Sequence, residues 1–198
     1  MHLSTNAIII PTATASFSNA FSTDFDGVDD TIISESVYTA LNGLTKASFS
    51  IWIKPTSVSS LKLKITFDIG RGGSGNATQC RLWVFESNRI EFTVNSNGSY
   101  VRGDISSITY GSWNHIVVTV DLSLSSNQGT IYVNGTDVTS TQSMGGSSSF
   151  PTATDEIYVG EAKNGQYNPF LGKIDEFAIF PNTVLTSGNV TTIYNSGT

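Results

Sequence analysis

Carboxylates are the side chains of this sequence that could cut a polysaccharide, and their spacing argues against that chemistry. Glycoside hydrolases use two carboxyl groups that flank the scissile bond, which on a strand requires alternate positions of one face. Glu91 stands alone between Ile90 and Phe92, whereas Asp175 and Glu176 are adjacent and therefore point to opposite faces. These strands do not offer an acid and a nucleophile on one face.

One further carboxylate pair and the histidines are residue types that catalysis could use. Asp24 and Asp26 do share a face, but the chain runs from them directly into a turn at Gly27. A Ser-His-Asp triad would need a histidine, and the sequence contains two, His2 and His115. His2 lies in a polar N-terminal stretch, and His115 sits inside a strand pattern where we expect a hydrogen-bonded structural role. We therefore predict that the protein is not an enzyme.

Aromatic side chains beside polar ones could instead bind a glycan, because an aromatic ring stacks on a sugar while Asn and Arg bond its hydroxyls. Most aromatic residues of this chain alternate within strands and are expected in the core. The candidates that remain are expected in loops: Tyr100 with Arg102, and Tyr167 with Asn164. We predict these four residues as the glycan-binding set.

The elements that must position these residues are strands. Phe49, Ile51 and Ile53 alternate with polar or amphipathic side chains until Pro55 ends the strand. The same two-residue period recurs in three further segments, residues 61–69, 89–94 and 113–122. Such strands separated by turns are typical of a β-sandwich.

Turn and cap signals complete this pattern. Asn134-Gly135 is the strongest hairpin signal in the chain, because both residues tolerate positive φ. One helix is predicted near the C-terminus, capped by Thr186 or Ser187 and ended by Gly197. The stretches 24–30 and 170–177 each combine an aromatic residue, a glycine and acidic residues, and we predict that they are neighbouring strands.

Composition limits the class of protein. With 198 residues the chain fits one β-sandwich domain, and its 13% of charged residues implies a surface built from Ser, Thr, Asn and Gly. A net charge of -6 argues against a nucleic-acid partner, which needs clustered Lys and Arg. Cys80 is the only cysteine, so an intramolecular disulfide is excluded. Ile8 to Ile10 is too short for a signal peptide or a membrane span, so neither Sec export nor a membrane partner is expected.

Six motifs in one order resemble a known family. They are Phe25-Asp26-Gly27-x-Asp29-Asp30, Phe49-Ser50-Ile51-Trp52-Ile53-Lys54-Pro55, Trp113-Asn114-His115-Ile116-Val117-Val118-Thr119, Ile131-Tyr132-Val133-Asn134-Gly135, Gly172-Lys173-Ile174-Asp175-Glu176-Phe177 and the closing helix to Tyr194-Asn195. Together they resemble a concanavalin A-like, laminin G-like jelly-roll domain. The resemblance implies an all-β fold: an antiparallel two-sheet jelly-roll sandwich with one short C-terminal helix, and with loops where members bind glycans or proteins. It does not fix the function, because one fold hosts many.

The resemblance also implies a possible metal site. In some members a calcium ion sits near the meeting of the two chain ends, and the matching acidic positions here are Asp26, Asp29, Asp30 and Asp175. Calcium prefers several oxygen ligands, which carboxylates and loop carbonyls supply. The alternative is that Asp26 and Asp29 bond turn amides while Asp175 caps a strand end.

Residues 1–22 are predicted as an extended N-terminal arm, and residues 23–198 as the jelly-roll domain. The arm is rich in Ser, Thr, Ala and Asn, and its large apolar residues are Ile8, Ile9, Ile10, Phe17 and Phe21. Extended arms often add a strand to a neighbour's sheet. We therefore expect an assembly arm that contacts a second copy or other structural proteins.

Stand-alone jelly rolls with such an arm resemble bacteriophage decoration, spike or fibre proteins. The expected role is a non-catalytic virion surface component, with host glycans as a further expected ligand. The alternative is a lectin-like, carbohydrate-binding module outside any virion, at an extracellular or cell-surface location reached by a non-Sec route.

Overall fold

The computed structural model describes residues 22–56, 63–70, 78–85, 89–95, 99–162 and 169–196. In these ranges thirteen strands form two antiparallel sheets. One 3-10 turn lies between the seventh and eighth strands along the chain, and one α-helix follows the last strand. The predicted fold class, an antiparallel two-sheet jelly-roll sandwich with one short C-terminal helix, is confirmed. The predicted arm lies outside the described residues except for Ser22.

Six strands form the first sheet. In spatial order they are β1 (Thr23–Asp26), β13 (Leu171–Pro181), β3 (Lys46–Pro55), β8 (Asn114–Asp121), β9 (Gly129–Val133) and β10 (Thr136–Asp137). The predicted pairing of the two chain ends is confirmed, since β1 lies beside β13 with Thr23 opposite Ile174 and Asp26 opposite Leu171. The predicted turn at Asn134-Gly135 connects β9 to β10 with φ values of 50° and 79°.

Seven strands form the second sheet. In spatial order they are β11 (Thr139–Ser143), β7 (Ser99–Asp104), β6 (Arg89–Val94), β5 (Thr78–Phe85), β4 (Leu63–Gly70), β12 (Ile157–Val159) and β2 (Ile32–Ile33). The 3-10 turn η1 (Ile105–Ser107) follows β7. Because side chains alternate along each strand, one face of this sheet packs on the first sheet and the other faces outward.

The core lies between the sheets and is built from the alternating apolar residues that the sequence predicted. Phe49 of β3 contacts Phe92 of β6 and Phe67 of β4, with ring centroids 4.9 Å and 5.4 Å away. All three rings are fully buried. Buried aromatic rings of this kind contribute packing in addition to the burial of apolar area.

The helix α1 (Ser187–Ser196) covers the outer face of the six-stranded sheet. Thr186 is its cap, because its hydroxyl accepts the Asn189 N–H at 3.2 Å while the Asn189 side chain accepts the Thr186 N–H at 3.1 Å. Val190 of the helix packs against Val117 of β8. Among the described residues, α1 packs on the six-stranded sheet and not on the outer face of the seven-stranded one.

Candidate functional site

The outer face of the seven-stranded sheet combines arginines, carboxylates and aromatic rings. Register places these side chains in two cross-strand rows: Tyr158, Asp68, Arg81, Thr93 and Tyr100 in one, and Trp83, Glu91 and Arg102 in the other. The local reason is the two-residue period, which sends Ile90 and Phe92 inward and Glu91 outward. The fold thus brings residues from five strands onto one surface.

Asp68 and Arg81 form a buried ion pair at the centre of this face. The Arg81 Nη2 donates to the Asp68 Oδ2 at 2.8 Å, and the two side chains are 4% and 2% exposed for arginine and aspartate. The guanidinium also lies 4.9 Å from the centre of the Trp83 ring. Trp83 and Arg81 are both buried, so this part of the face has a structural role in positioning its neighbours.

A partly exposed group lies beside it on β6 and β7. The Arg102 Nε donates to the Glu91 Oε2 at 2.5 Å, and the Arg89 Nε lies 3.5 Å from the same oxygen. The Arg102 guanidinium also stacks 3.9 Å from the centre of the Tyr100 ring. We call Arg89, Glu91, Tyr100 and Arg102 the polar strip.

The polar strip is partly accessible to solvent. The Arg89 side chain is 41% exposed and the Arg102 side chain 29%, whereas Glu91 between them is 11% exposed. Guanidinium groups donate hydrogen bonds, the carboxylate accepts them, and the tyrosine adds an aromatic ring. Such a set can bind adjacent hydroxyl groups, which both accept and donate.

The structure brings together one predicted glycan-binding pair. Tyr100 and Arg102 lie in contact on the same face, whereas Asn164 and Tyr167 lie outside the described residues. Glu91 and Arg89 were missed as site residues because Glu91 was considered only as a lone carboxylate. The alternation of Arg89 and Glu91 on one strand, followed closely along the chain by the alternation of Tyr100 and Arg102, was the signal that could have found them.

A second group of acidic residues lies in the loop after β1. Oxygens of Asp26, Asp29 and Asp30 all lie within 4.8 Å of one another. Calcium ligands sit about 2.3–2.6 Å from the ion, so oxygens up to roughly 5 Å apart can share one ion. Three carboxylates of this chemistry fit a calcium ion.

The same carboxylates also stabilise the turn. The Asp26 Oδ1 accepts the Val28 N–H at 2.8 Å, and the Asp30 Oδ2 accepts the Asp26 N–H at 2.8 Å. The predicted alternative, that Asp26 bonds a turn amide, is therefore confirmed. A carboxylate retains further lone pairs after accepting one hydrogen bond, so the two roles are compatible.

Asp175 does not join this group. In the antiparallel register it lies four residues further along β13 than Leu171, the partner of Asp26, which places it roughly 13 Å away at about 3.3 Å per residue. Its Oδ1 instead accepts the Glu176 N–H at 2.8 Å, where the pairing of β13 with β3 is irregular. Asp175 thus bonds the backbone at a β-bulge. Its prediction as a metal ligand together with Asp26, Asp29 and Asp30 was wrong, because the strand register separates it from them.

Glu161 is an acidic neighbour that the sequence did not indicate. Partial burial and the nearby Asp29 carboxylate raise the pKa of Glu161. The chain reaches this position through Gly160, where φ is 89° and an added Cβ would lie within 2.1 Å of the Phe25 ring. Only the fold brings Glu161 to the acidic loop, because it is distant from that loop in sequence.

A family model described as the concanavalin A-like lectin/glucanases superfamily matches residues 26–191. The chain belongs to this superfamily. No curated protein matches the sequence. The motifs that carried the resemblance fall within the matched range, except for Phe25 at its start and the end of the closing helix at Tyr194-Asn195.

Solved structures of the same fold cover most of this superfamily member. A sialidase CBM40 of Ruminococcus gnavus, bound to α2,3-sialyllactose, has a TM-score of 0.63 at 14% identity and covers 87% of this chain and 95% of its own. Domain 4 of AbnA, a GH43 extracellular arabinanase of Geobacillus stearothermophilus in complex with arabinotriose, has a TM-score of 0.60 at 20% identity, covering 91% and 79%. A heptameric SAP-like pentraxin of Limulus polyphemus has a TM-score of 0.62 at 15% identity, covering 86% and 80%. At these identities the likeness shows the fold.

Catalytic chains also share the fold over a small part of their length. A Trypanosoma rangeli sialidase matches with a TM-score of 0.56, and the match covers 22% of that chain. This superfamily member therefore corresponds in size to the CBM40 chain rather than to a whole sialidase.

One Ser-His contact in this superfamily member resembles part of a catalytic triad. Ser50 Oγ and His115 Nε2 lie 2.8 Å apart. His115 is fully buried and lies beside Trp52 and Tyr194, with ring centroids 4.9 Å and 6.1 Å away, and these two rings are 5.8 Å from each other. Burial lowers its pKa to about 4. His115 thus has the hydrogen-bonded position inside a strand that the sequence predicted, and it lies buried beneath α1.

A cleft of about 430 Å³ lies between the segment that follows β8 and the segment that follows β11. Its lining is uncharged and consists of Leu122, Leu124, Ser125, Gln128 and residues 145–148. The described helices are neither long nor apolar enough to cross a membrane. The polar strip is the better candidate site, because it combines charged donors, an acceptor and an aromatic ring.

Proposed function

We propose that the protein is a non-catalytic, lectin-like module that binds a glycan on the polar strip. Support comes from its superfamily and from two neighbours of the same fold, one described in complex with sialyllactose and one with arabinotriose. The observation that carries the proposal is the contact of Tyr100 with Arg102 at 3.9 Å, beside Glu91 and Arg89, on a partly exposed part of the sheet surface.

The chemistry of the strip suits sugar hydroxyls. Neighbouring hydroxyls on a ring can accept from the Arg102 and Arg89 guanidiniums while one of them donates to Glu91. Hydrogen bonds to charged groups contribute about 1.5–3 kcal/mol each, which is enough for the weak binding of a single sugar unit. The Tyr100 ring can add contact with the apolar side of a sugar.

A glycan array probed with the full chain tests this proposal. We expect binding to a subset of oligosaccharides, with Arg102→Ala weakening it by roughly tenfold or more through the loss of a charged donor. Tyr100→Ala should also weaken it. Tyr110→Ala is the matched control, since Tyr110 is an exposed tyrosine of the loop before β8 and should bind as the unaltered chain does.

Two results would contradict the proposal. The first is an array on which no oligosaccharide is bound. The second is binding that persists unchanged in both the Tyr100 and the Arg102 variants, because the glycan would then bind elsewhere.

We propose further that the acidic loop binds calcium through Asp26, Asp29 and Asp30. An ion that binds only the folded protein at 100 times its Kd adds about 2.7 kcal/mol to the free energy of unfolding. Calcium should therefore raise the melting temperature, and Asp29→Asn should abolish that rise. Asp137→Asn, on the edge strand β10, is the control. An equal rise in the Asp29 variant would refute this site.

We propose a virion surface as the location, as a decoration, spike or fibre component that assembles through residues 1–22. What supports this is the composition of the arm, with Ile8, Ile9, Ile10, Phe17 and Phe21 as its large apolar residues. A lectin-like module at an extracellular or cell surface is the alternative. Sedimentation of the full chain and of a chain lacking residues 1–22 tests the arm. A full chain that forms oligomers and a shortened chain that is monomeric would support it, whereas the same number of chains per particle in both would contradict self-assembly through it.

A further inference from the structure

We propose that the polar strip takes neutral, hydroxyl-rich sugars and that Glu91 excludes acidic ones. This specificity rests on the proposed glycan-binding function. It concerns which class of sugar binds, and the fold alone does not determine that class.

The first step of the argument is that the arginines of the face are already paired with carboxylates. Arg81 pairs with Asp68 at 2.8 Å, and Arg102 and Arg89 pair with Glu91 at 2.5 Å and 3.5 Å. Asp104 stands directly opposite Arg89 across β6 and β7, which adds a second carboxylate to the strip. Three arginines therefore face three carboxylates on β4 to β7, and Glu156, which accepts from the Tyr158 hydroxyl at 3.3 Å, adds a further carboxylate to this face.

The second step concerns the geometry of Arg102. Its Nε donates to Glu91, and one side of its guanidinium lies against the Tyr100 ring. A sugar carboxylate that bound the remaining N–H groups would share this guanidinium with the Glu91 carboxylate. Like charges at such distances repel strongly where water is partly excluded, and Glu91 is only 11% exposed.

The third step is that a neutral sugar meets no such repulsion. A hydroxyl can accept from Arg102 and donate to Glu91, so the existing ion pair becomes part of the binding site and does not have to break. The net charge of -6 on the whole chain acts in the same direction, because it repels acidic ligands at long range. Glu91 is therefore both an acceptor for hydroxyls and the group that rejects anions.

Matched glycans that differ by one acidic sugar test the inference. On an array of neutral and acidic oligosaccharides that includes lactose and α2,3-sialyllactose, we expect the bound members to be neutral. Each acidic counterpart of a bound neutral glycan should bind roughly tenfold more weakly or worse. Binding of the neutral members should change little between 50 mM and 500 mM NaCl. Salt screens the attraction or repulsion between two charges, and a neutral sugar carries no charge.

Glu91→Gln keeps the size of the side chain and removes its charge. We expect this variant to raise the affinity for acidic relative to neutral members by roughly tenfold. Glu35→Gln is the matched control, because Glu35 is exposed and follows β2 at the far edge of the same sheet. Melting curves of both variants establish that they are folded at the temperature of the array.

The outcomes separate the two levels of the proposal. Tighter binding of acidic glycans to the unaltered chain, or an unchanged acidic-to-neutral ratio in a folded Glu91→Gln variant, would overturn the specificity and leave the glycan-binding function standing. Absence of binding to every member would overturn both. If the Glu91 variant is unfolded, the salt dependence and the matched pairs on the unaltered chain still decide the matter.

Discussion

Burial should decide how much each ion pair of this protein contributes to its stability. The pair of Asp68 with Arg81 and the pair of Asp24 with Lys173 have similar lengths, 2.8 Å and 2.6 Å. Their side chains differ in exposure, at 2% and 4% for the first pair and 74% and 37% for the second. The substitutions Asp68→Asn and Asp24→Asn therefore make the same chemical change in two environments.

We expect Asp68→Asn to lower the free energy of unfolding by about 3 kcal/mol or more, because it leaves the buried Arg81 charge without its carboxylate. Asp24→Asn should cost less than about 1 kcal/mol, since water solvates Lys173 after the pair is lost. Asparagine retains an oxygen that can accept a hydrogen bond, which places the first loss at the lower end of the range. Adding Arg81→Met to Asp68→Asn should recover part of the loss by removing the unpaired charge.

Urea denaturation followed by circular dichroism measures all three variants against the unaltered chain. The slope of the unfolding free energy with urea should remain constant, so that a shift of the midpoint reports stability. Equal losses for Asp68→Asn and Asp24→Asn would refute the argument that burial decides. A loss below about 1 kcal/mol for Asp68→Asn would refute it as well.

Three further variants test other parts of the structure. Burial lowers the pKa of His115 to about 4 from 6.5, so the unfolded chain binds a proton that the folded chain lacks between these values. The contribution of His115 to the free energy of unfolding should therefore be fully present above pH 6.5 and should fall by roughly 3 kcal/mol as the pH drops to 4. In urea titrations at pH 7 and pH 4.5, His115→Gln should reduce the difference in unfolding free energy between the two pH values. Gly160→Ala should lower the melting temperature strongly, because its Cβ would lie 2.1 Å from the Phe25 ring at a φ of 89°, whereas Gly145→Ala, with open space around it, should not. Thr186→Ala should cost about 1 kcal/mol in denaturant titrations, because the α1 cap is lost, and an unchanged midpoint would contradict that role.

The contrast between Tyr100 and Glu91 shows how far sequence reasoning reached in the candidate site. Tyr100 and Arg102 were predicted together as a loop pair, an aromatic ring beside a side chain that bonds sugar hydroxyls, and the structure places them instead on one face of strand β7. Glu91 faces Arg102 from the neighbouring strand, and that contact depends on the register of β6 with β7. A shift of one residue would turn Glu91 into the core, so the site required the register as well as the pattern.

The acidic residues show the same limit at longer range. Asp26, Asp29 and Asp30 were grouped correctly because they belong to one short turn. Asp175 was placed with them because β1 and β13 are neighbours, and this pairing is confirmed. In an antiparallel pair, however, residue numbers rise along one strand as they fall along the other. The residue of β13 opposite Asp26 is therefore Leu171, and Asp175 lies beyond Ile174, the partner of Thr23 at the other end of β1.

The sequence by itself determined the fold class, the pairing of the chain ends, the Asn134-Gly135 turn and the C-terminal helix. These features follow from two-residue periods, turn residues and caps, which act over a few positions. Only the tertiary structure decided that Glu91 joins Arg102, that Glu161 approaches Asp29 and that α1 buries His115. Each of these contacts joins separate strands or segments, and the distance between them is set by sheet order and register, which local patterns do not encode.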